Sequence, residues 1–167
     1  MLEAVPSGVV HETINLALLG GVALAYLNFG QGRLEQQVAL ASTGAYLIGT
    51  FLVTPDLDLA EQKVRPKGRW GLLGMLWVPY GWMFSHRGIS HTWIVGPLTR
   101  LLYMVLMGVV VYWAAANVMG YFGAELSLKG KLTAPPQEIL WAAVLGYYVS
   151  QWLHILADYV WPDFGRR

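Results

Sequence analysis

Four stretches of this chain are almost wholly apolar and about as long as a bilayer is thick. They cover residues 13–30 ("TINLALLGGVALAYLNFG"), 36–54 ("QQVALASTGAYLIGTFLVT"), 93–122 (beginning "WIVGPLTRLLYMVLMGVVVYWAAA") and 137–161 ("QEILWAAVLGYYVSQWLHILADYVW"). A helix needs about 20 such residues to cross the hydrocarbon core, because lipid leaves backbone N–H and C=O groups no partner but each other. Charged residues make up 13% of the chain, against roughly 25% in a soluble domain. Small residues recur inside the stretches (Gly20, Gly21, Ala41, Ser42, Gly44, Gly49, Gly146), as close helix packing in lipid requires. The expectation is an all-α integral membrane bundle of about four transmembrane helices, forming a single domain over residues 1–167.

A fifth stretch, "WGLLGMLWVPYGWMF" (70–84), carries three Trp, one Tyr and a central Pro79. It is too short to span, and aromatic side chains collect at the bilayer boundary. It reads as an interfacial or re-entrant segment. The run "AEQKVRPKGR" (60–69) before it reads as a solvated loop. The N-terminus lacks the basic start of a signal peptide and reads as part of the mature protein.

Threading four spans puts the N-terminus, the loop 55–92 and the C-terminal tail on one side of the membrane. That side or its boundary holds Lys63, Arg65, Lys67, Arg69, Arg87, Arg100, Arg166 and Arg167. The other side holds Arg33, Lys129 and Lys131. The excess of cations marks the first side as cytoplasmic. The expected location is the bacterial inner membrane, with both termini in the cytoplasm. With a formal net charge of +1 and no basic stripe, nucleic-acid binding is not expected; membrane lipid is the expected partner.

The same threading gathers the chemistry. His11 opens the first helix, Asp56 and Asp58 follow the second in "TPDLD", His86 and His91 precede the third in "SHRGISH", and His154 and Asp158 close the fourth in "LHILAD". All of them fall on the cytoplasmic face. His154 and Asp158, four apart, share one helix face. Gly88 permits a turn that brings His86 and His91 together, and the spacing of Asp56 and Asp58 suits an extended or turning segment. A lone histidine or aspartate at a helix end is ordinarily a cap or a solvated terminus. His154, however, sits between apolar residues of a span, where an ionisable side chain is costly and usually functional.

The chain contains no cysteine, so any metal site must use imidazole and carboxylate. His11, Asp56, Asp58, His86, His91, His154 and Asp158 make seven candidate ligands, too many for one tetrahedral ion and suited to two divalent ions. Zinc, manganese and iron all fit such donors. Beside them, Glu12 is a candidate general base and Arg87 a candidate anion clamp. Ser85 and Ser90 are candidate donors to the ligands, and Arg100 is expected to snorkel to the cytoplasmic surface.

The blocks "SGVVHE", "PDLDL", "SHRGISH" and "LHILAD", in this order between apolar helices, resemble a family of uncharacterised small membrane proteins described as metal-binding. More distantly, they are similar to the YdjM-type predicted membrane-bound metal-dependent hydrolases. That resemblance implies that His86, His91, His154 and Asp158 are metal ligands and that Asp56 and Asp58 are the paired aspartates. Leu59 stands where the YdjM-type proteins place a histidine.

The leading functional expectation is a membrane-embedded metal-dependent hydrolase acting on a phosphoester or acyl bond of a lipid-like or amphiphilic substrate at the cytoplasmic interface. The alternatives are a non-catalytic metal-binding membrane protein, structural or sensory, and, third, an ion or metal transporter.

Overall fold

In a computed structural model, residues 8–30, 32, 34–59, 64–84, 88–124 and 134–160 are described, and these are helical without any strand. The long helices are α1 (Gly8–Ala25, continued by a wide turn Tyr26–Gly30), α2 (Gln36–Phe51), α5 (Val95–Tyr121) and α6 (Gln137–Val160). Between α2 and α5 run short helical pieces: a 3-10 turn Pro55–Asp58, α3 (Arg65–Arg69), a 3-10 segment Gly71–Trp77, α4 (Val78–Met83) and a 3-10 turn Ile89–His91.

Among the described residues, three helices are long and apolar enough to cross a membrane: Gly8–Gly30, Val95–Tyr121 and Gln137–Tyr159. Most of their side chains are uncovered by protein, with Leu102, Val105, Leu106, Val109 and Trp113 of α5 all exposed. An apolar surface of that extent is suited to lipid rather than water. The fourth expected span is shorter than its apolar run suggests. α2 ends at Phe51 after 16 residues, rising about 24 Å against a core of about 30 Å. The chain turns there because Val53, Thr54, Pro55, Asp56, Leu57 and Asp58 are drawn into the protein interior.

α2 and α6 form the centre of the bundle. A Cβ on Gly49 would collide with the Ser150 hydroxyl, and one on Gly146 with the Ser42 carbonyl, so these two glycines let the helix backbones approach closely. In the space so closed, the Gln151 amide donates to the Gly49 carbonyl at 3.1 Å. α1 is tied on by Tyr46, whose hydroxyl donates to the Asn15 carbonyl at 2.8 Å. α5 meets α6 at its N-terminal end. There Tyr147 and Tyr148 donate to the Pro97 and Ile94 carbonyls at 3.2 Å each, and the Trp152 indole donates to the Trp93 carbonyl at 2.7 Å.

The aromatic segment is too short to span, as expected, but part of it belongs to the protein core. Trp77 and Tyr80 are buried with Val53, Leu57, Tyr103 and Tyr147, and the Tyr103 hydroxyl donates to the Leu76 carbonyl. Leu72, Met75 and Trp82 form its exposed face. Of the run expected to be a solvated loop, residues 60–63 lie outside the described residues. Residues 65–69 are helical with Pro66 and Lys67 buried, and the Lys67 amine donates to the Leu59 carbonyl. Burial lowers the pKa of Lys67, although the charge of Asp58 opposes the shift.

Candidate metal centre

The first turn of α1, the turn after α2, the turn before α5 and the last turns of α6 meet at one end of the bundle. Each contributes to a buried cluster. In α6 the inward positions 147, 150, 151, 154 and 158 recur at three- and four-residue steps, so the stripe that packs on α2 ends in His154 and Asp158. His11 lies inside α1, which starts at Gly8 rather than near residue 13. Its ring stacks on that of His154 with centroids 3.8 Å apart and planes inclined by 16°.

Asp158 is at the middle of the cluster. Its Oδ1 lies 3.2 Å from His11 Nε2, and its Oδ2 lies 3.6 Å from His91 Nε2 and 3.7 Å from His154 Nε2. Asp56 Oδ1 completes the group at 3.3 Å from His154 Nε2. Two overlapping sets of ligand atoms fall within 4.8 Å of one another: His11, His154 and Asp158, and Asp56, His91 and His154.

Divalent metal fits these residues. Donors bonded at 2.0–2.1 Å to one tetrahedral ion are separated by about 3.3 Å, close to the 3.2–3.7 Å spacings observed. Several donor atoms, including His11 Nε2, Asp56 Oδ1, His154 Nε2 and Asp158 Oδ1, are buried and make no hydrogen bond. Buried polar atoms left so are expensive unless an ion completes them. Two carboxylates, Asp56 buried and Asp158 partly so, with three imidazoles also match the charge and softness of a borderline divalent cation. Burial pushes the Asp56 carboxyl up, but the adjacent His154 and His11 rings outweigh it and hold the group below the usual carboxylate range.

Asp58 has a different place from the one its sequence spacing suggests. It is absent from both ligand sets. Its Oδ2 lies 3.2 Å from His91 Nδ1 and accepts a hydrogen bond from the Ser90 hydroxyl. A carboxylate behind a histidine in this way fixes the tautomer and aims the other nitrogen, here Nε2, at the ion. Burial alone would lower the His91 pKa; the carboxylates of Asp158 and Asp58 beside its ring raise it to about 9.

Glu12 is turned away from the general-base role expected of it. Successive residues on a helix point about 100° apart, so with His11 facing α6, Glu12 faces α3. Both of its oxygens are held by Arg69, at 2.7 and 2.9 Å, and Arg65 approaches to 3.4 Å. His86, Arg87 and Ser85 lie outside the described residues.

Sequence reasoning missed Arg100. It does not snorkel: it is fully buried, and its Nη1 donates to the Ser90 carbonyl at 2.8 Å. The guanidinium thereby holds the Ile89–His91 turn from beneath. The available signal was a single arginine within a span, where an ionisable residue points to function by default.

The model of a family described as "Uncharacterized metal-binding protein (DUF2227)" matches residues 6–167. An "Uncharacterized protein" of Aquifex aeolicus (strain VF5) is 50% identical over 60 residues, which are 35% of this chain and 40% of that relative. The chain thus covers less than half the length of this curated relative. No solved structure matches.

Proposed function

Since the chain belongs to the family described as "Uncharacterized metal-binding protein (DUF2227)", we propose that it is a membrane-embedded metal-dependent hydrolase. The observation that carries the reading is the position of Asp158 and His91, which belong to the donor cluster and also line a cavity of about 450 Å³. Structural metal sites are coordinatively closed, whereas catalytic ones keep a side open to water and substrate.

One ion would be held by His11, His91, His154, Asp56 and Asp158. His154 is common to both ligand sets, so the described donors would serve one ion. Zinc, manganese and iron suit the donors. Such an ion supplies Lewis acidity, which activates water and polarises a phosphoryl or acyl group. Asp58 and Ser90 keep His91 in its ligating tautomer, Arg100 holds the turn that carries it, and Asp158 and His91 set the ion beside the cavity, where water and substrate would reach it. Hydrolysis of a phosphoester or acyl bond is the reaction we read from the resemblance of "SHRGISH" and "LHILAD" to the YdjM-type blocks.

In the membrane, α2 would form a fourth, shorter element antiparallel to α1. The cation excess supports a cytoplasmic position for the metal end and both termini, in a bacterial inner membrane. Ligands gathered at one end of the helices do not suit a transporter, whose sites lie near the midplane.

The test is metal analysis of detergent-purified protein, wild type against Asp158→Ala, together with turnover of phosphoester and acyl-ester panels. Bound metal and metal-dependent turnover in the wild type, both lost in the variant, are expected. Stoichiometric metal without turnover on either panel would replace the enzyme by a structural metal protein.

A further inference from the structure

We infer that the cavity beside the cluster is a cleft for one hydrocarbon chain bearing an anionic oxygen headgroup, phosphate or carboxylate. This rests on the metal reading above. The cavity lies between the turn entering α5 and the end of α6, and its lining mixes the donor residues His91 and Asp158 with the apolar Trp93, Ile155 and Tyr159. Ile155 is buried, whereas Trp93 and Tyr159 remain 47% and 70% exposed as its rim. The Trp93 backbone is tied to α6, since its carbonyl accepts the Trp152 indole N–H at 2.7 Å.

Position selects the ligand class. The span Val95–Tyr121 begins two residues after Trp93, and the span Gln137–Tyr159 ends at Tyr159. Aromatic side chains at span ends sit at headgroup depth, so the mouth opens where lipid headgroups lie and a chain enters it sideways from the bilayer. About 450 Å³ is near the lower end of ligand-pocket sizes and accommodates one chain rather than a whole two-chain lipid. Among the described residues, no lysine or arginine lines the cavity. The ion beside the cavity would offer the headgroup's anionic oxygen a partner.

The experiment uses the zinc-loaded full chain in dodecyl maltoside micelles, titrated calorimetrically with dodecyl phosphate and with inorganic phosphate. Bound metal is measured on the same samples. Wild type is expected to bind dodecyl phosphate at least about tenfold more tightly than inorganic phosphate, the chain adding apolar burial to the shared headgroup. Trp93→Ala/Tyr159→Ala is expected to lose that preference while keeping its zinc and its affinity for inorganic phosphate. Tyr159→Ala alone, at a position 70% exposed, is expected to lose part of it. Equal affinities in wild type, or an unchanged preference in zinc-replete variants, would overturn the cleft and leave the metal centre standing. Wild type that retains none of zinc, manganese or iron would overturn the metal centre, and the headgroup assignment with it.

Discussion

His91 Nδ1 and Asp58 Oδ2 lie 3.2 Å apart, and this pairing decides which imidazole nitrogen faces the cluster. With the Ser90 hydroxyl donating to the same carboxylate, the turn before α5 is joined to the turn after α2. Two segments 32 residues apart in sequence thus act on one ligand.

Asp58→Asn is therefore expected to weaken divalent metal binding by about 10–100-fold without abolishing it, the usual effect of losing a partner behind a ligand. Asp56→Asn, which alters a donor itself, should cost more. Chelator competition with Zn²⁺ or Co²⁺ measures both; equal losses would place Asp58 among the ligands.

Metal binding should be pH-dependent through His91. Its pKa in the metal-free protein is raised to about 9, above the ordinary value of about 6.5. Protonated His91 therefore contributes stability to the metal-free fold that is fully present below about 6.5 and is lost as pH rises through about 9. An ion must displace that proton. Apparent Co²⁺ affinity is expected to rise about tenfold per pH unit between 7 and 8.5 and to flatten above about 9. A flat profile across this range would show that His91 is not a ligand.

The Glu12–Arg69 pair joins the start of α1 to α3. Glu12→Gln should lower thermal stability by about 1 kcal/mol, as expected for a two-point charged hydrogen bond at a partly exposed site. Bound metal should remain at wild-type stoichiometry. Loss of metal in this variant would restore Glu12 to the site.

The close approach of α2 and α6 depends on Gly49 and Gly146. Gly49→Leu places a side chain where the Ser150 hydroxyl and the Gln151 amide lie, and overpacking of this kind typically costs about 1–3 kcal/mol. A lower melting temperature in detergent is expected, with weaker metal binding because His154 and Asp158 ride on the displaced helix. An unchanged melting temperature would mean that the helices are not in contact there.

Arg100→Met is expected to loosen the Ile89–His91 turn, since Arg100 Nη1 holds the Ser90 carbonyl. Weaker metal binding should follow, with partial recovery in Arg100→Lys, whose shorter reach keeps a donor but not the planar fork. Wild-type affinity in Arg100→Met would confine the residue to packing.

Much of the architecture was legible in the chain. Long apolar runs have few ways to satisfy their backbone groups in lipid, so a helical bundle follows from composition and length. The i, i+4 spacing of His154 and Asp158 places them on one face in any helix. Burial of Trp77 and Tyr80 was not legible, because an aromatic run has the same composition whether it faces lipid or protein. The end of α2 at Phe51 was hidden for a related reason: apolar residues continue past it, and only the pull of the buried turn Pro55–Asp58 stops the helix.

From the sequence alone came the helical class, the likeness to metal-binding membrane proteins and the gathering of histidine and aspartate at the ends of apolar runs. Tertiary structure decided the roles within that gathering: Asp56 and Asp158 face the imidazoles, Asp58 stands behind His91, Glu12 turns to Arg69, and Arg100 is enclosed. Periodicity sets the direction of a side chain relative to its own helix. Whether that direction meets a ligand, a partner charge or lipid depends on how the helices are rotated against one another, and packing at contacts such as Gly49 with Ser150 sets that rotation.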